Sequence, residues 1–262
     1  MARDWAVILG VSSGFGAAAA RAFAAEGFGI FGAHMDRRST MPAVEALRSE
    51  LLQHGVPVVF RNGNAAADEE REAAIGQLAE VMAPGDRVRV LLHSLAFGTL
   101  RPYVAGKVGD AIIGRRHLDM TLDVMANSLV YWAQDLVGSD FLGKGGRIYA
   151  MTSAGSLAAW PSYGAVSAAK AALEAHIRQL AVELAPRGVT ANAIMAGVTQ
   201  TPALEKIPGA AEIARKATER NPHGRLTTPE DIARCLVALT APGTDWMTGN
   251  VLRVDGGETV SA

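Results

Sequence analysis

The chain of 262 residues holds a single cysteine, Cys235. With no second thiol it can close no internal disulfide and build no thiolate cluster, which suits a reducing compartment and leaves Cys235 a packing role within a helical pattern. Aromatic residues make up only 6% of the chain, and acidic and basic residues nearly cancel, to a formal net charge of -1. That balance argues against nucleic acid or an anionic membrane surface as a partner. No apolar run is long enough to span a bilayer. "MARDW" leads directly into "AVILG" with no basic segment, apolar stretch and small-residue cleavage site, so a cytoplasmic protein is expected. The six histidines, at 34, 54, 93, 117, 176 and 223, lack metal-ligand spacing, and no metal is expected.

What is present is a regular alternation. Short apolar runs lie at 5–9, 29–33, 56–60, 89–93, 146–151, 189–194 and 250–255. Helical patterns lie between them, at about 15–26, 41–54, 68–82, 118–139, 161–184 and 228–240. Near-continuous apolar strands joined by helices imply a parallel sheet covered on both faces. The expectation is one α/β domain over 1–262, a Rossmann-type doubly wound sheet of about seven strands. Ligands on such sheets bind beyond the carboxyl ends of the strands, so the loops there carry the functional reading.

The first of these loops is "GVSSGFG", residues 10–16. Gly10, Gly14 and Gly16 permit a tight turn and a close backbone approach, Ser12 and Ser13 add hydroxyl donors, and the helix opening near Phe15 offers free N–H groups to a pyrophosphate. After the second strand comes "GAHMDRR". Counted from Gly27, His34 fills the slot where an acidic residue would accept from a ribose 2′-hydroxyl, and Arg37 and Arg38 suit a 2′-phosphate. NADPH is therefore favoured, with Asp36 keeping NADH as the alternative. Asn64 and Ala65, after the third strand, border the expected adenine position. In "SYGAVSAAK", Tyr163 and Lys170 are seven residues apart, which on a helix brings them to within about 20° of one face. A lysine near a phenol makes the hydroxyl a better proton donor or oxyanion partner.

Through "GVSSGFG", "MTSAGS", "SYGAVSAAKAALEA", "LAVELAPRGVTANAI", the Thr201 region and the terminal "VDGG", the chain resembles the short-chain dehydrogenase/reductase family over almost its whole length. The six residues between Tyr163 and Lys170, "HSLAFG" at 93–98 and "MAGVTQT" at 195–201 are similar to the family's enoyl-[acyl-carrier-protein] reductase branch. The resemblance implies a nicotinamide cofactor, a homotetramer and reduction of the carbon–carbon double bond of a trans-2-enoyl thioester in fatty acid biosynthesis. The alternative is a carbonyl or hydroxyl oxidoreductase acting on a ketone or 3-oxoacyl thioester.

The resemblance also assigns roles. Tyr163 would hydrogen-bond the thioester carbonyl, and Lys170 would hold the nicotinamide ribose. Ser94, Leu95 and Ala96 would line the cofactor, while Val198 and Thr201 fix its carboxamide and phosphates. Ser153, ten positions before Tyr163, stands where many enoyl reductases have a second tyrosine and where carbonyl-reducing relatives use a serine. Met125 falls in the slot of the asparagine that ordinary members carry, and Asn127 reads as a structural polar residue. Trp160, Met195 and Met247 are candidates for the border of an acyl pocket, but single aromatic or methionine residues in a chain this apolar read first as core. A substrate lid is expected over about 198–226. Within it Lys216 and Arg220 share a helical face, with Arg215 beside them, either steering an acidic acyl carrier protein or neutralised by Glu212 and Glu219. Acyl carrier protein and coenzyme A both remain open as the carrier.

Overall fold

The computed structural model describes residues 2–261. Seven strands, β1 (Asp4–Leu9), β2 (Gly29–His34), β3 (Val58–Asn62), β4 (Arg87–His93), β5 (Arg147–Thr152), β6 (Thr190–Ala196) and β7 (Val251–Val254), form one sheet in the order β3-β2-β1-β4-β5-β6-β7. Every neighbouring pair is parallel. β2 and β5 are buried at every position, and β1 and β6 at all but one. Burial on both faces is why these segments read as unbroken apolar runs. The strand order reverses between β1 and β4, and a crevice opens there at the carboxyl edge. The expected Rossmann-type doubly wound sheet is thus observed.

In chain order the helices are α1 (Gly14–Ala25), α2 (Met41–Leu52), α3 (Asp68–Val81), α4 (Arg115–Leu122), α5 (Ser128–Gly138), α6 (Gly164–Leu184), α7 (Pro202–Glu205), α8 (Ala210–Arg220) and α9 (Pro229–Ala238). α1, α2 and α9 cover one face of the sheet through Phe23, Leu47, Leu51, Ile232 and Leu236. α3, α5 and α6 cover the other, through Leu78, Trp132, Leu136, Leu173 and Ile177. Among the described residues no helix is long and apolar enough to cross a membrane.

Two helical expectations change. The pattern at 118–139 is not one helix, because a π-helical turn at Asp123–Asn127 separates α4 from α5. The Ser128 hydroxyl donates back to the Val124 carbonyl at 2.9 Å, satisfying an acceptor inside the widened turn, and Val124, Met125 and Ala126 all point inward. The second change is at the start of α6. Ser162 adopts φ 64°, in the left-handed region, so the helix begins at Gly164 with Tyr163 at its N-cap.

Trp132 joins α5 to the loop after β3. It is 1% exposed, and its indole Nε1 donates to the Ala65 carbonyl at 2.7 Å. Beside it Arg71 of α3 pairs with Asp135 at 2.8 Å and stacks over the Tyr131 ring at 4.9 Å. Trp132→Ala should destabilise the protein by about 3–5 kcal/mol, through the cavity and the orphaned carbonyl together, as measured by chemical denaturation.

Candidate active site

The turn from β1 into α1 is dictated by close approach. Gly10 has φ 88°, and a Cβ there would lie 2.6 Å from the Ser94 carbonyl oxygen; a Cβ on Gly16 would run into the Gly10 carbonyl. Glycine at both positions lets the strand turn straight into the helix, with Gly10 N–H donating to the Ala33 carbonyl at 2.8 Å. Ser13 is the N-cap of α1, and its side chain makes no cap hydrogen bond. The helix N-terminus therefore keeps free N–H groups at the sheet crevice, a cradle that fits a pyrophosphate. Phe15 instead turns inward against the core under α1. Gly14 meets Thr201 across the crevice, and Ser94 N–H donates to the Leu9 carbonyl at 2.8 Å, so the loops after β1, β4 and β6 converge.

At the end of β2 the geometry departs from the expectation. His34 is 4% exposed, edge-on to Phe60, with Nδ1 3.1 Å from Asp36 Oδ2. It is buried against Phe60 and Asp36 rather than turned outward. Asp36 takes the outward position, accepting from Thr40 Oγ1 at 2.8 Å and from Ser12 of the glycine loop. Burial pushes its carboxyl up, but the hydrogen bonds from Ser12, Thr40 and His34 outweigh this and hold it below its ordinary value. Asn62, which sequence reasoning missed, clamps the Asp36 backbone through both its amide atoms at 3.0 Å. Arg37 and Arg38 are exposed. Asn64 Oδ1 accepts from Ala66 N–H at 3.1 Å, and Ala65 is buried under Trp132.

Tyr163, Ser153 and Lys170 gather at the ends of β5 and α6. Ser153 caps a short 3₁₀ turn at Ala154–Ser156, accepting from Gly155 N–H at 3.2 Å. The Tyr163 ring lies against Gly155, where a Cβ would come within 2.6 Å of it, and the Trp160 ring stands edge-on at 6.0 Å. Burial pushes the Tyr163 phenol above its ordinary value, and the Ser153 hydroxyl draws it part of the way back. Lys170 is 6% exposed, and its Nζ donates to the Met151 carbonyl at 2.7 Å. Burial pushes its amine down to about 8, with Glu174, one helical turn on, pulling the other way. Glu174 is buried too, and accepts from Thr152 Oγ1 at 2.6 Å.

This differs from two side chains on one helical face. Tyr163 precedes the helix, and Ser153 rather than Lys170 is the group that offsets the effect of burial on its phenol. His93 lies behind Lys170, fully buried and pushed down to about 3, with Nε2 2.9 Å from Ser128 Oγ, so it stays neutral.

Of these groups Ser153 and Tyr163 open onto an apolar cavity of about 230 Å³. Ala96, Met125, Ser153, Trp160 and Tyr163 line one side and Leu204, Ile207 and Ile213 the other. Trp160, expected in the core, is a pocket wall; Met195 is core, and Met247 lies 36% exposed. Met125 reaches the pocket, while Asn127 Oδ1 sits 3.2 Å from His176 Nε2, as a structural residue would. Thr201 caps α7 by accepting from Leu204 N–H at 3.2 Å. The Val198 N–H, expected to meet a carboxamide, is already donated to Glu258 at 2.9 Å. On α8 the structure has the neutralised arrangement. Arg215 bonds Glu212 and Glu219, Lys216 lies 3.4 Å from Glu212, and Arg220 reaches the buried Glu258. Among the described residues no three His, Cys, Asp or Glu side chains cluster as a metal site would require.

Comparison with known proteins fits this geometry. The family model described as enoyl-(acyl carrier protein) reductase matches residues 10–259. The chain is 33% identical over 173 residues to 1-cyclohexenylcarbonyl-CoA reductase of Streptomyces collinus, a match covering 63% of this chain and 61% of that enzyme. It is 31% identical over 258 residues to the L-tagatose-forming galactitol 2-dehydrogenase of Cereibacter sphaeroides, covering 97% and 94% of the two chains. In structure it is similar to the NADH-type enoyl-[acyl-carrier-protein] reductase of Aquifex aeolicus, with a TM-score of 0.84, 25% identity and 99% and 97% of the chains covered. A glycine cradle at the β1–β4 crevice, a tyrosine and serine over a buried lysine, and a match running from Gly10 to Thr259 make this chain an oxidoreductase belonging to the short-chain dehydrogenase/reductase family.

Proposed function

We propose that the chain reduces the carbon–carbon double bond of a short or compact trans-2-enoyl thioester with a nicotinamide dinucleotide. The observation that carries this reading is Met125, an apolar side chain in the pocket wall where ordinary family members carry an asparagine. Reduction of a ketone needs a proton delivered through the tyrosine to an alkoxide, and a polar path to replace it. Enoyl reduction asks only for a hydrogen bond at the carbonyl oxygen, because the closing proton goes to the α-carbon. The six-residue Tyr163–Lys170 spacing agrees. Ser153 beside Tyr163 favours the second reading, carbonyl reduction of a 3-oxoacyl thioester or ketone.

When bound, the dinucleotide supplies the hydride. Gly10, Ser12, Ser13, Gly14 and Gly16 would cradle its pyrophosphate; Asn64 and Ala65 would border the adenine; Ser94, Leu95, Ala96, Val198 and Thr201 would line the nicotinamide end. Tyr163, kept protonated by burial, donates to the thioester carbonyl, and Ser153 supports it as negative charge develops on that oxygen. Lys170 binds the ribose and keeps a positive charge under the site. Asp36 beside Ser12 would accept from a 2′-hydroxyl and repel a 2′-phosphate, which supports NADH over the NADPH that Arg37 and Arg38 suit. The cavity of about 230 Å³ is also walled by Ala96, Val198 and Thr201 of the expected nicotinamide end, so the acyl group would share it, which supports a short one.

Dinucleotide oxidation with a short trans-2-enoyl thioester and with the matching 3-oxoacyl thioester separates the two readings. The first substrate should be turned over faster, and activity should fall as the chain lengthens; preference for the second would establish carbonyl reduction. Tyr163→Phe should lower kcat by about two orders of magnitude and leave dinucleotide affinity nearly unchanged.

Lys170 carries its charge below about pH 8 and loses it above. The kcat/KM profile of the free enzyme should therefore be level below that pH and decline as pH rises past it. Glu174→Gln removes the carboxylate that favours the ammonium, so its break should move to lower pH; an unmoved break would separate Glu174 from the titration.

Asp36→Asn should raise kcat/KM with NADPH relative to NADH by about tenfold, the loss of one charge opposed to a phosphate. A wild-type preference for NADPH would instead assign the ribose site to Arg37 and Arg38.

A further inference from the structure

α8 spans 11 residues yet buries only Ala217. Most surface helices are held by an apolar face, and this one has little. Its attachment is polar and lies at one end. Arg220 Nη2 donates to Glu258 Oε1 at 3.0 Å, and the next residue, Asn221, donates through Nδ2 to the Asp255 carbonyl at 3.0 Å. The other oxygen of Glu258 accepts the Val198 N–H at 2.9 Å. Val198 precedes the cap of α7, and Arg220 closes α8. One carboxylate thus gathers both the entry and the exit of the segment 199–220 that walls the pocket.

That carboxylate is fixed in its turn. Glu258 is 2% exposed, and its N–H donates to the Asp255 carbonyl at 3.1 Å. Asp255 is itself buried and accepts from Gly257 N–H and Thr259 N–H, each at 3.0 Å. Glu258 also forms part of the pocket wall. A carboxylate so buried needs donors for both oxygens, and here one is a guanidinium. Removing Arg220 leaves the carboxylate holding the entry of the segment alone.

We propose that Glu258 is a positioning residue for the reaction, a buried staple that ties both ends of the 199–220 cover to the C-terminal turn and sets how closely the pocket shuts on the acyl group. This rests on the reading of the cavity as the acyl site, and holds for a thioester reduced at either the double bond or the carbonyl.

Arg220 is half-exposed, so it can be changed without opening the core. Arg220→Met should raise KM for the thioester that the wild type turns over by about tenfold, with kcat within about twofold and dinucleotide affinity unchanged. Arg220→Lys, which keeps the charge, should recover most of the loss. Arg220→Met/Glu258→Gln should lose little more than Arg220→Met alone, because both break one interaction. An unchanged KM, or losses that multiply in the double variant, would overturn the staple.

Amide hydrogen exchange on the substrate-free protein gives a readout independent of substrate. Arg220→Met should speed exchange in α7 and α8 by about tenfold while leaving the sheet amides as they were. Unaltered exchange in α8 would overturn the staple whatever the substrate, whereas faster exchange in a protein inactive on every thioester would uphold the staple and refute the acyl reading.

Discussion

A buried ammonium organises the carboxyl edge of this sheet. Lys170 has almost no contact with water, and a charge in that position must be met by protein groups or be lost. The Met151 carbonyl meets it directly, and Glu174 supplies the opposing charge from one turn further along the same helix. Glu174 is steadied by Thr152, the last residue of β5. The strand must therefore end where it does, and α6 must pass it with one face turned inward over two consecutive turns. From that fixed point the chain runs on into Ser153 and the short turn whose Gly155 admits the Tyr163 ring. The phenol is placed by the need to satisfy a lysine it does not touch.

The opposite wall of the pocket follows a different logic. The β5–α6 side is held by deep packing, whereas α7 and α8 hang from a few polar ties around Asp255 and Glu258. At the other end Thr201 abuts Gly14, so the cover begins against the loop that fits the dinucleotide. Rigid chemistry faces a loosely bound wall, a division suited to a site that must admit and release two molecules in turn.

Much of this was legible because it follows from local rules. Strands buried on both faces announce themselves as apolar runs, and the loop after β1 can turn only with glycine where Gly10 meets Ser94. Tyr163 and Ser153 share one wall of the cavity, while Lys170 lies buried behind it on the Met151 carbonyl. That His34 turns inward was not legible, because counting residues from Gly27 fixes position along the strand but not which side chain faces out; Asp36, the alternative, is the more open of the two. Composition alone left Trp160 between core and pocket border; standing just before the left-handed Ser162, it lies in the pocket wall. Glu258 could not have been found: its partners Val198 and Arg220 are 60 and 38 residues away, and no spacing rule links them. The π-helical turn stayed hidden because a single extra residue barely disturbs a 3.6-residue period.

That extra residue constrains how this sequence can change. The widened turn takes up one residue without rotating α4 and α5 relative to each other, so deleting one position in 123–127 would close it to an ordinary turn while Trp132 and Leu136 kept their faces. The change would be confined to the turn itself, where Val124, Met125 and Ala126 would be redistributed. Met125 is the residue of that turn that walls the pocket. A change of length here would therefore reshape the pocket without repacking the core behind it.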